Sequence, residues 1–337
     1  MKKTPVLFLL AALLLLTSCE VEFSPNAQWK DIPVVYCLLD PDDDTVFARV
    51  ERCFLGDGSI YDYGIIADSI NYPQGAIDVW LYKFRGDRAV DSVQMQYTLR
   101  GRDEGAFAST PQPVYYSVTP LDSTCRYSLR VRRTTDNVFI AVTDTIPLIC
   151  QVKSNLITRP ANNDPYGFSF MTRGACRIEW PALYAARRYH PIVRFYYREL
   201  DDTLYVDLPA GEVAANSTST DATYSFEYPR TSFLYSLRSY FVGIGDTVTP
   251  KYYLQYVDLF LTAWDENLNV YMMSVASGTN LNQTTDVYTN VHGGTGIFAS
   301  RLIHRYKHTL ADPSTNPMGS SNPSLRAYLK DLGIGFQ

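Results

Sequence analysis

The sequence predicts a mainly β protein, with an N-terminal antiparallel β-sandwich of the immunoglobulin or fibronectin type III kind followed by a second β-rich domain with a few short helices. Aromatic residues make up 14% of the 337 residues, with 26 Tyr, and this composition favours strands. Short alternating apolar segments are separated by frequent Gly, Pro and Asp turns. The length suggests about two domains.

The predicted N-terminal sandwich covers residues 31–148 and opens with a hairpin. Its first strand is predicted at 32–39, and an acidic turn follows. The return strand at 45–54 alternates, with Val46, Ala48 and Val50 on one face. Pro147 marks the predicted end of the domain. Between hairpin and end, further strands are predicted at 77–84, 94–100, 114–119, 125–133 and 138–145.

The predicted C-terminal domain covers residues 149–337 and mixes strands with helices. Trp180 and Tyr189 are predicted to point inward on successive strands, which resembles the core of a fibronectin type III domain. Asp265 is a predicted helix N-cap. Strands are predicted at 151–157, 176–180, 189–198 and 252–263, and helices at 229–241, 266–276 and 324–332.

The first residues resemble a bacterial lipoprotein signal. Two lysines precede an unbroken apolar run at 6–16, which is shorter than the ~20 residues that a membrane-spanning helix needs. Leu16-Thr17-Ser18-Cys19 then matches a lipobox at all four positions. The sequence therefore predicts a signal peptide at 1–18, lipid on Cys19 and a lipidated tether at 19–30. A buried N-terminal helix is the alternative, but the run lacks the polar residues that would face water.

Lipid on Cys19 predicts where the protein works. Two or three acyl chains anchor a protein stably, and no second apolar run of about 18 residues follows. We therefore expect a lipid anchor in the outer membrane, with the membrane as one partner. Glu20 and Glu22 resemble a surface-export signal of Bacteroidota but equally suit a solvated tether. The cell surface and the periplasmic face both stay open.

Charge and cysteine usage narrow the function classes. The net charge is −5 and the pI is near 5.4, so no nucleic-acid partner is expected. An odd number of cysteines remains besides Cys19, and no Cys-x-x-Cys occurs. Buried free thiols are therefore favoured over bridges, although the predicted compartment permits disulfides. These cysteines are Cys37, Cys53, Cys125, Cys150 and Cys176.

Segments 34–41, 50–58 and 288–298 carry a family resemblance. Together with the lipobox, they are similar to uncharacterised Bacteroidota outer-membrane lipoproteins of the domain-of-unknown-function 4249 type. That family usually shows Asn-Gly-x-Gly where this chain has residues 292–296. Its members are often encoded beside TonB-dependent outer-membrane receptors. The resemblance therefore implies an accessory role in uptake or surface display, and it transfers no catalytic residue.

Two motifs invite a chemical interpretation. Residues 293–296, Gly-Gly-Thr-Gly, resemble a phosphate-binding loop, but a strand pattern follows them where a helix would be needed, so a tight turn or bulge is favoured. His304 and His308 would share a face on a helix and bind metal. On a strand they would lie ~13 Å apart, too far for one ion. We therefore predict no metal and no cofactor.

Acidic and aromatic clusters are the other candidates. Residues 40–44 hold four Asp, which suit either calcium or a solvated hairpin tip. A hidden carboxylate pair of the glycosidase kind stays open, because such acids meet in space rather than in sequence. Each Tyr doublet is predicted to leave one ring outward, where it packs at the rim or contacts sugar or protein. The doublets are Tyr115-Tyr116, Tyr196-Tyr197 and Tyr252-Tyr253.

Asp followed by Ser or Thr, and then by an aliphatic residue or Thr, is over-represented. This pattern resembles the O-glycosylation sequon of exported Bacteroidota proteins, although a turn-to-strand junction produces it as well. The candidate hydroxyl residues are Thr45, Ser69, Ser92, Ser123, Thr145, Thr203 and Thr247.

Three functions follow from the sequence. The first is a non-enzymatic surface or periplasmic lipoprotein that serves as accessory or scaffold for an outer-membrane receptor of the TonB-dependent type. The second is a carbohydrate- or protein-binding adhesin, which predicts a row of exposed aromatic rings. The third is a hydrolase, which predicts two convergent acids in a cleft. No residue is predicted to be catalytic.

Overall fold

The computed structural model describes residues 30–53, 62, 64–101, 111–151, 159–160, 175–199, 201–216, 221–244, 252–278 and 287–308. The predicted signal peptide, Cys19, Thr247 and the helix predicted at 324–332 lie outside these ranges. In the described part, strands dominate and the helices are short, which confirms the mainly β class.

Strands and helices follow one another in this order: β1 (Pro33–Leu39), β2 (Thr45–Arg52), α1 (Ala67–Ile70), β3 (Ile77–Arg85), β4 (Arg88–Gln94), β5 (Gln96–Arg100), β6 (Gln112–Val118), β7 (Arg126–Arg133), β8 (Phe139–Thr143), β9 (Ile146–Pro147), β10 (Cys150–Gln151), β11 (Arg159–Pro160), β12 (Ala175–Pro181), β13 (Leu183–Tyr184), β14 (Arg188–Glu199), β15 (Asp202–Pro209), β16 (Val213–Ala214), β17 (Thr223–Pro229), α2 (Arg230–Gly243), β18 (Tyr252–Trp264), α3 (Glu266–Gly278), β19 (Val291–His292) and β20 (Thr295–His308).

Two large sheets organise the described strands. The nine-stranded sheet runs β15-β14-β18-β20-β1-β2-β6-β5, with β16 beside β14. The six-stranded sheet runs β19-β8-β7-β3-β4, with β9 beside β7. Neighbouring strands in both sheets are antiparallel, except that β1 and β20 are parallel. The parallel pair joins strands from opposite ends of the chain.

The N-terminal strands of the two sheets enclose one apolar core. The alternation predicted from sequence is seen in β1, which buries Val35, Cys37 and Leu39 and leaves the residues between them half-exposed. Removing a large aliphatic side chain of this kind from water contributes about 1.5–3 kcal/mol. The facing strands supply Ile77, Val79 and Leu81 from β3 and Tyr127, Leu129 and Val131 from β7.

The far half of the nine-stranded sheet has a second core. Helix α2 packs Phe233, Leu237 and Phe241 against it, at the four-residue spacing that puts them on one helix face. Trp180 and Tyr189 are both fully buried, with ring centroids 5.5 Å apart in an edge-to-face arrangement. The inward Trp and Tyr predicted from sequence are therefore confirmed.

Strand β20 links the two cores. Phe298 belongs to the sandwich core and Leu302 to the second core, and the buried Ser300 lies between them. The Ser300 hydroxyl accepts a hydrogen bond from the Ile149 amide at 2.9 Å. β19 and β20 come from the predicted C-terminal domain but pair with β8 and β1 of the predicted N-terminal sandwich. The boundary near residue 148 stays a prediction.

Asp265 caps α3, as predicted. Its Oδ1 accepts from the Leu268 amide at 2.8 Å and its Oδ2 from the Ser300 amide at 2.9 Å. The cap holds α3 on the side of the sheet opposite the sandwich, where Leu268 packs on Ile297 and Ala299. Burial raises the pKa of Asp265.

Sequence reasoning missed three of the longer strands, β4, β15 and β17. All three are sheet edges with mostly exposed residues. β4 lacks the apolar alternation that a half-buried strand shows, whereas β15 and β17 carry it, at Leu204, Val206 and Leu208 and at Tyr224, Phe226 and Tyr228. Cys37, Cys53, Cys125 and Cys150 are free among the described residues; Cys37 and Cys125 are buried, whereas Cys53 and Cys150 are half-buried. The Cys176 side chain lies outside the described part. None of the described helices has the length and hydropathy needed to cross a bilayer.

Candidate functional site

The glycine-rich segment at 293–296 is a turn that lets two strands approach closely. A Cβ on Gly293 would lie 2.6 Å from the Ile140 carbonyl oxygen, and one on Gly294 would lie 2.5 Å from that of Pro33. Gly296 has φ of +109°, and a Cβ there would collide with the Val35 carbonyl. A strand, β20, follows the turn. The predicted turn is confirmed, and the helix N-terminus of a phosphate-binding loop is absent from the described residues 287–308.

Asn290 completes this glycine joint, by which we mean residues 290–298. Its side-chain amide donates to the Phe298 carbonyl at 2.7 Å, and its Oδ1 accepts from the Phe298 amide at 3.0 Å. Asn290 is buried and acts as a local strand partner. The segment that looks most like a functional motif therefore uses its polar groups to hold the fold.

The histidines do not form a metal site in the described residues. His304 and His308 lie on strand β20 rather than on a helix, and the His308 side chain is outside the described part. His190 stacks on Trp264 at 3.7 Å between ring centroids, and burial lowers its pKa. His292 pairs with Asp144 at 2.7 Å. No group of His, Cys, Asp and Glu large enough to hold a metal ion occurs where side chains are described.

The acidic turn at 40–44 is closed by Asp40, which accepts a hydrogen bond from the Asp42 amide at 3.2 Å. Asp40 is buried, whereas the residues that follow Pro41 in the turn are exposed. Asp40 and Asp43 both line one cavity. Because they belong to one tight turn, they reach that cavity from the same side. Glycoside hydrolysis needs carboxylates that flank the scissile bond.

The Tyr doublets behave as predicted where their side chains are described. Tyr115 and Tyr197 are buried. Their neighbours Tyr116 and Tyr196 are half-exposed on the opposite face of the sheet. The side chains of the third doublet, 252–253, lie outside the described part.

Six of the seven predicted glycosylation positions are described, and none of the six is buried. Ser92, Ser123 and Thr203 are exposed, while Thr45, Ser69 and Thr145 are half-exposed. Glycosylation stays a prediction at these positions. The alternative, that the Asp-Ser/Thr pattern marks junctions between turns and strands, also has support. The Asp122 carboxylate accepts a hydrogen bond from the Thr124 amide at 3.0 Å, as Asp side chains do in turns.

The outer face of the six-stranded sheet carries a row of aromatic and arginine side chains. We call it the Arg130 face and define it by Trp80, Tyr82 and Phe84 of β3 and Arg130 and Arg132 of β7. In β3 these rings alternate with core residues, so all three project away from the core and are half-exposed.

The arginines lie on the rings. The Arg130 guanidinium carbon is 4.1 Å from the Tyr82 ring centroid and 5.8 Å from that of Phe139, and Arg132 is 5.6 Å from Trp80. Distances of up to about 6 Å allow a cation–π attraction. Arg130 is aligned with Trp80 on one side and with Val142 on the other. The rings and guanidinium groups therefore form a continuous row across neighbouring strands.

The two arginines differ in charge compensation. Arg132 donates to Asp78 at 2.6 Å. Arg130 has no carboxylate within ion-pair distance among the described residues. Trp80 Nε1, Arg130 Nε and Arg132 Nε are buried donors without an acceptor there. A buried donor without an acceptor costs about 1–3 kcal/mol. The Arg130 side chain as a whole is half-exposed, so an acceptor from outside can reach its guanidinium group.

A second arginine–aromatic cluster, on the nine-stranded sheet, shows the opposite arrangement. Arg194 lies 4.1 Å from the Tyr205 ring centroid but also forms a bidentate pair with Asp207 at 2.6 and 2.8 Å. Arg305, which like Arg194 lies over the Phe260 ring, binds the buried Asp258 at 2.5 and 2.8 Å. Both guanidinium charges are compensated internally, as Arg130 is not.

Sequence reasoning missed the Arg130 face. The signal was present, because Trp80, Tyr82 and Phe84 alternate with Val79 and Leu81 in a strand that was correctly predicted. What the sequence does not show is which strand lies beside β3, and hence that Arg130 stacks on Tyr82.

Comparisons with known proteins identify no family. No protein-family model and no curated protein matches this chain. A solved structure similar to it is the C-terminal globular domain of an oligosaccharyltransferase from Pyrococcus abyssi, with 10% identity and a TM-score of 0.23 over 69% of this chain. The match spans only 48% of that structure. A likeness of this size carries no functional argument.

Proposed function

We propose that this protein is a lipid-anchored, non-enzymatic lipoprotein of the outer membrane that docks an outer-membrane receptor of the TonB-dependent type through its Arg130 face. The lipobox at 16–19 and the resemblance to lipoproteins encoded beside such receptors support the location and the partner. The observation that carries docking is the uncompensated guanidinium of Arg130, stacked on Tyr82.

The composition of the face favours a protein partner. Trp, Tyr and Arg dominate the residues that contribute most to protein–protein affinity. An acidic group of the partner would give Arg130 the carboxylate that it lacks, and hydrogen bonds to charged groups are the strong ones. A small ligand usually occupies a concave site, and no residue of the Arg130 face lines either of the two cavities in the described part that have volumes of about 300 and 460 Å³.

Carbohydrate binding is the competing function, and the geometry disfavours it. Sugars stack on open ring faces, whereas Tyr82 and Trp80 each have a guanidinium lying over one face. A stacked sugar would have to displace these arginines. Soluble oligosaccharide that competes with receptor binding would support the sugar-binding alternative.

The anchor is tested by labelling cells with a palmitate analogue. We expect label and membrane association in the wild type and their loss in Cys19→Ala. Cys53→Ala, which alters a thiol in the folded part, is the control and should stay labelled. Equal labelling of Cys19→Ala and wild type would contradict the lipid site.

Docking is tested by cross-linking native membranes and recovering the full-length protein. The wild type and Arg194→Ala should recover a receptor of the TonB-dependent type, and Arg130→Ala should recover at least tenfold less, the loss expected for about 1.4 kcal/mol. Arg194 is the matched control, because it also stacks on a Tyr at 4.1 Å. Equal recovery by both variants would contradict docking through this face.

A further inference from the structure

A cavity of about 460 Å³ opens on the outer face of the nine-stranded sheet, on the side of β1 and β2 away from the sandwich core. Its volume falls in the range of small-molecule sites. Its lining includes Tyr36, Asp40, Phe47, Arg49, Arg100 and Arg301. None of them belongs to the Arg130 face.

The floor of the cavity combines rings with cations. The guanidinium carbon of Arg49 lies 4.6 Å from the Tyr36 ring centroid, and that of Arg100 lies 4.3 Å from the Phe47 centroid. A ligand that enters here meets apolar ring surface and positive charge together. Burial raises the pKa of Tyr36 to about 12, so this ring stays neutral.

The arginines have incomplete internal partners. Arg301 Nε is 3.9 Å from Asp40 Oδ2, and Arg49 Nε is 3.6 Å from Glu51 Oε1. Both separations exceed those of good hydrogen bonds. Both Nε atoms are buried donors without a hydrogen-bond acceptor in the described part. The two side chains are nevertheless 30% and 34% exposed. A carboxylate in the cavity can therefore meet the exposed part of a guanidinium, from which it accepts two parallel hydrogen bonds.

The acids at the cavity offset part of its positive charge. With Asp40 and Asp43 ionised, Arg49, Arg100 and Arg301 leave the lining a net charge of +1, which a monoanion neutralises. Burial raises the pKa of Asp40 to about 6. The wall therefore becomes less negative as pH falls through this value.

We propose that this cavity binds a small organic monoanion, with its carboxylate on Arg301 and Arg100 and its apolar part against the edges of the Tyr36 and Phe47 rings, since Arg49 and Arg100 each cover one ring face. A second cavity, of about 300 Å³ near Asp265, differs because its arginine, Arg187, already binds Glu266 at 2.8 Å. The proposal is independent of docking, since the two sites lie on different sheets.

The test is calorimetric titration of the full-length protein with phenylacetate, indole-3-acetate and cyclohexanecarboxylate, each against its neutral amide. We expect saturable binding of at least one acid in the micromolar to millimolar range and at least tenfold weaker binding of its amide. Absence of saturable binding for all three acids, or equal binding of acids and amides, would overturn the proposal.

Variants locate the binding. Arg100 is exposed, and Arg100→Ala should weaken binding of the acid at least tenfold. Arg301→Gln should weaken binding by a similar factor. Arg194→Gln, which lies outside the cavity, should bind the acid with an affinity within twofold of that of the wild type. Undiminished affinity in both cavity variants would assign binding elsewhere and overturn the site. Melting curves of each variant confirm that it is folded.

The pH dependence of ligand affinity gives a further test. The charged groups facing the ligand are Asp40, Asp43, Arg49, Arg100 and Arg301, with Glu51 beside Arg49. Because Asp40 loses its charge below about pH 6, the anion should bind more tightly at pH 5 than at pH 8. Asp40→Asn should bind at pH 8 as the wild type does at pH 5. Tighter binding of the anion to wild type at pH 8 would contradict this arrangement.

Discussion

The glycine joint and the Arg130 face differ in whether their polar groups already have hydrogen-bond or ion-pair partners within the protein. In the joint, Asn290 satisfies both backbone groups of Phe298, and three glycines bring backbones together. In the Arg130 face, three buried donors have no acceptor and one guanidinium has no carboxylate among the described residues. A motif-like sequence can thus be entirely structural, while a surface without a motif keeps unsatisfied binding capacity.

The largest effect is expected in the joint. Gly296→Ala should abolish folding or cost more than about 4 kcal/mol, because the residue has φ of +109° and its Cβ would collide with the Val35 carbonyl. Urea denaturation measures this cost. Gly243→Ala, where no atom lies within 4 Å of the added Cβ, is the control and should change stability little. A stable Gly296→Ala protein would show that the joint tolerates a wider β1–β20 separation.

The next effect separates compensated from uncompensated arginines. Arg305→Leu leaves the fully buried Asp258 without its guanidinium partner and should cost about 2–4 kcal/mol. Arg130→Leu leaves no carboxylate without its partner and should lower the free energy of unfolding by less than about 1 kcal/mol. Chemical denaturation of the two variants measures the difference. Equal losses would mean that Arg130 is as fully compensated in the fold as Arg305.

Asp40 at the cavity is intermediate in charge compensation between the Arg305 pair and Arg130, because its nearest cation, Arg301, lies 3.9 Å away. Its pKa in the folded protein is about 6, above the ordinary 3.8, so the folded state holds this proton more tightly than the unfolded chain. Ionisation therefore removes stability as pH rises from about 4 to about 6. Asp40→Asn should be about 1–2 kcal/mol more stable than wild type at pH 7.5 and closer to wild type at pH 4.5. A constant difference between these pH values would contradict the raised pKa.

Much of the fold was predictable because it depends on local patterns. The opening hairpin, β14, α2 and the Asp265 cap were all predicted, each from alternation, helical spacing or a capping residue. The parallel pairing of β1 with β20 was not, because nothing local indicates which distant strand pairs with an apolar one.

The candidate sites were less predictable for the same reason. Trp80, Tyr82 and Phe84 form a visible alternating row, but Arg130 becomes unusual only once β7 lies beside β3 and no carboxylate accompanies it. Asp40 looked like part of a solvated turn, yet it is buried at a cavity wall because Arg301 arrives on β20. Both sites depend on cross-strand neighbours.

The most direct test of docking places a photo-cross-linking phenylalanine analogue at Tyr82 or at Tyr205 in living cells. Both tyrosines lie under an arginine at 4.1 Å on an outer sheet face, so they are matched in local chemistry. We predict that the probe at Tyr82 cross-links to an outer-membrane receptor of the TonB-dependent type and that the probe at Tyr205 does not. Cross-linking from Tyr205 alone, or from neither position, would contradict the assignment of the Arg130 face as the docking surface.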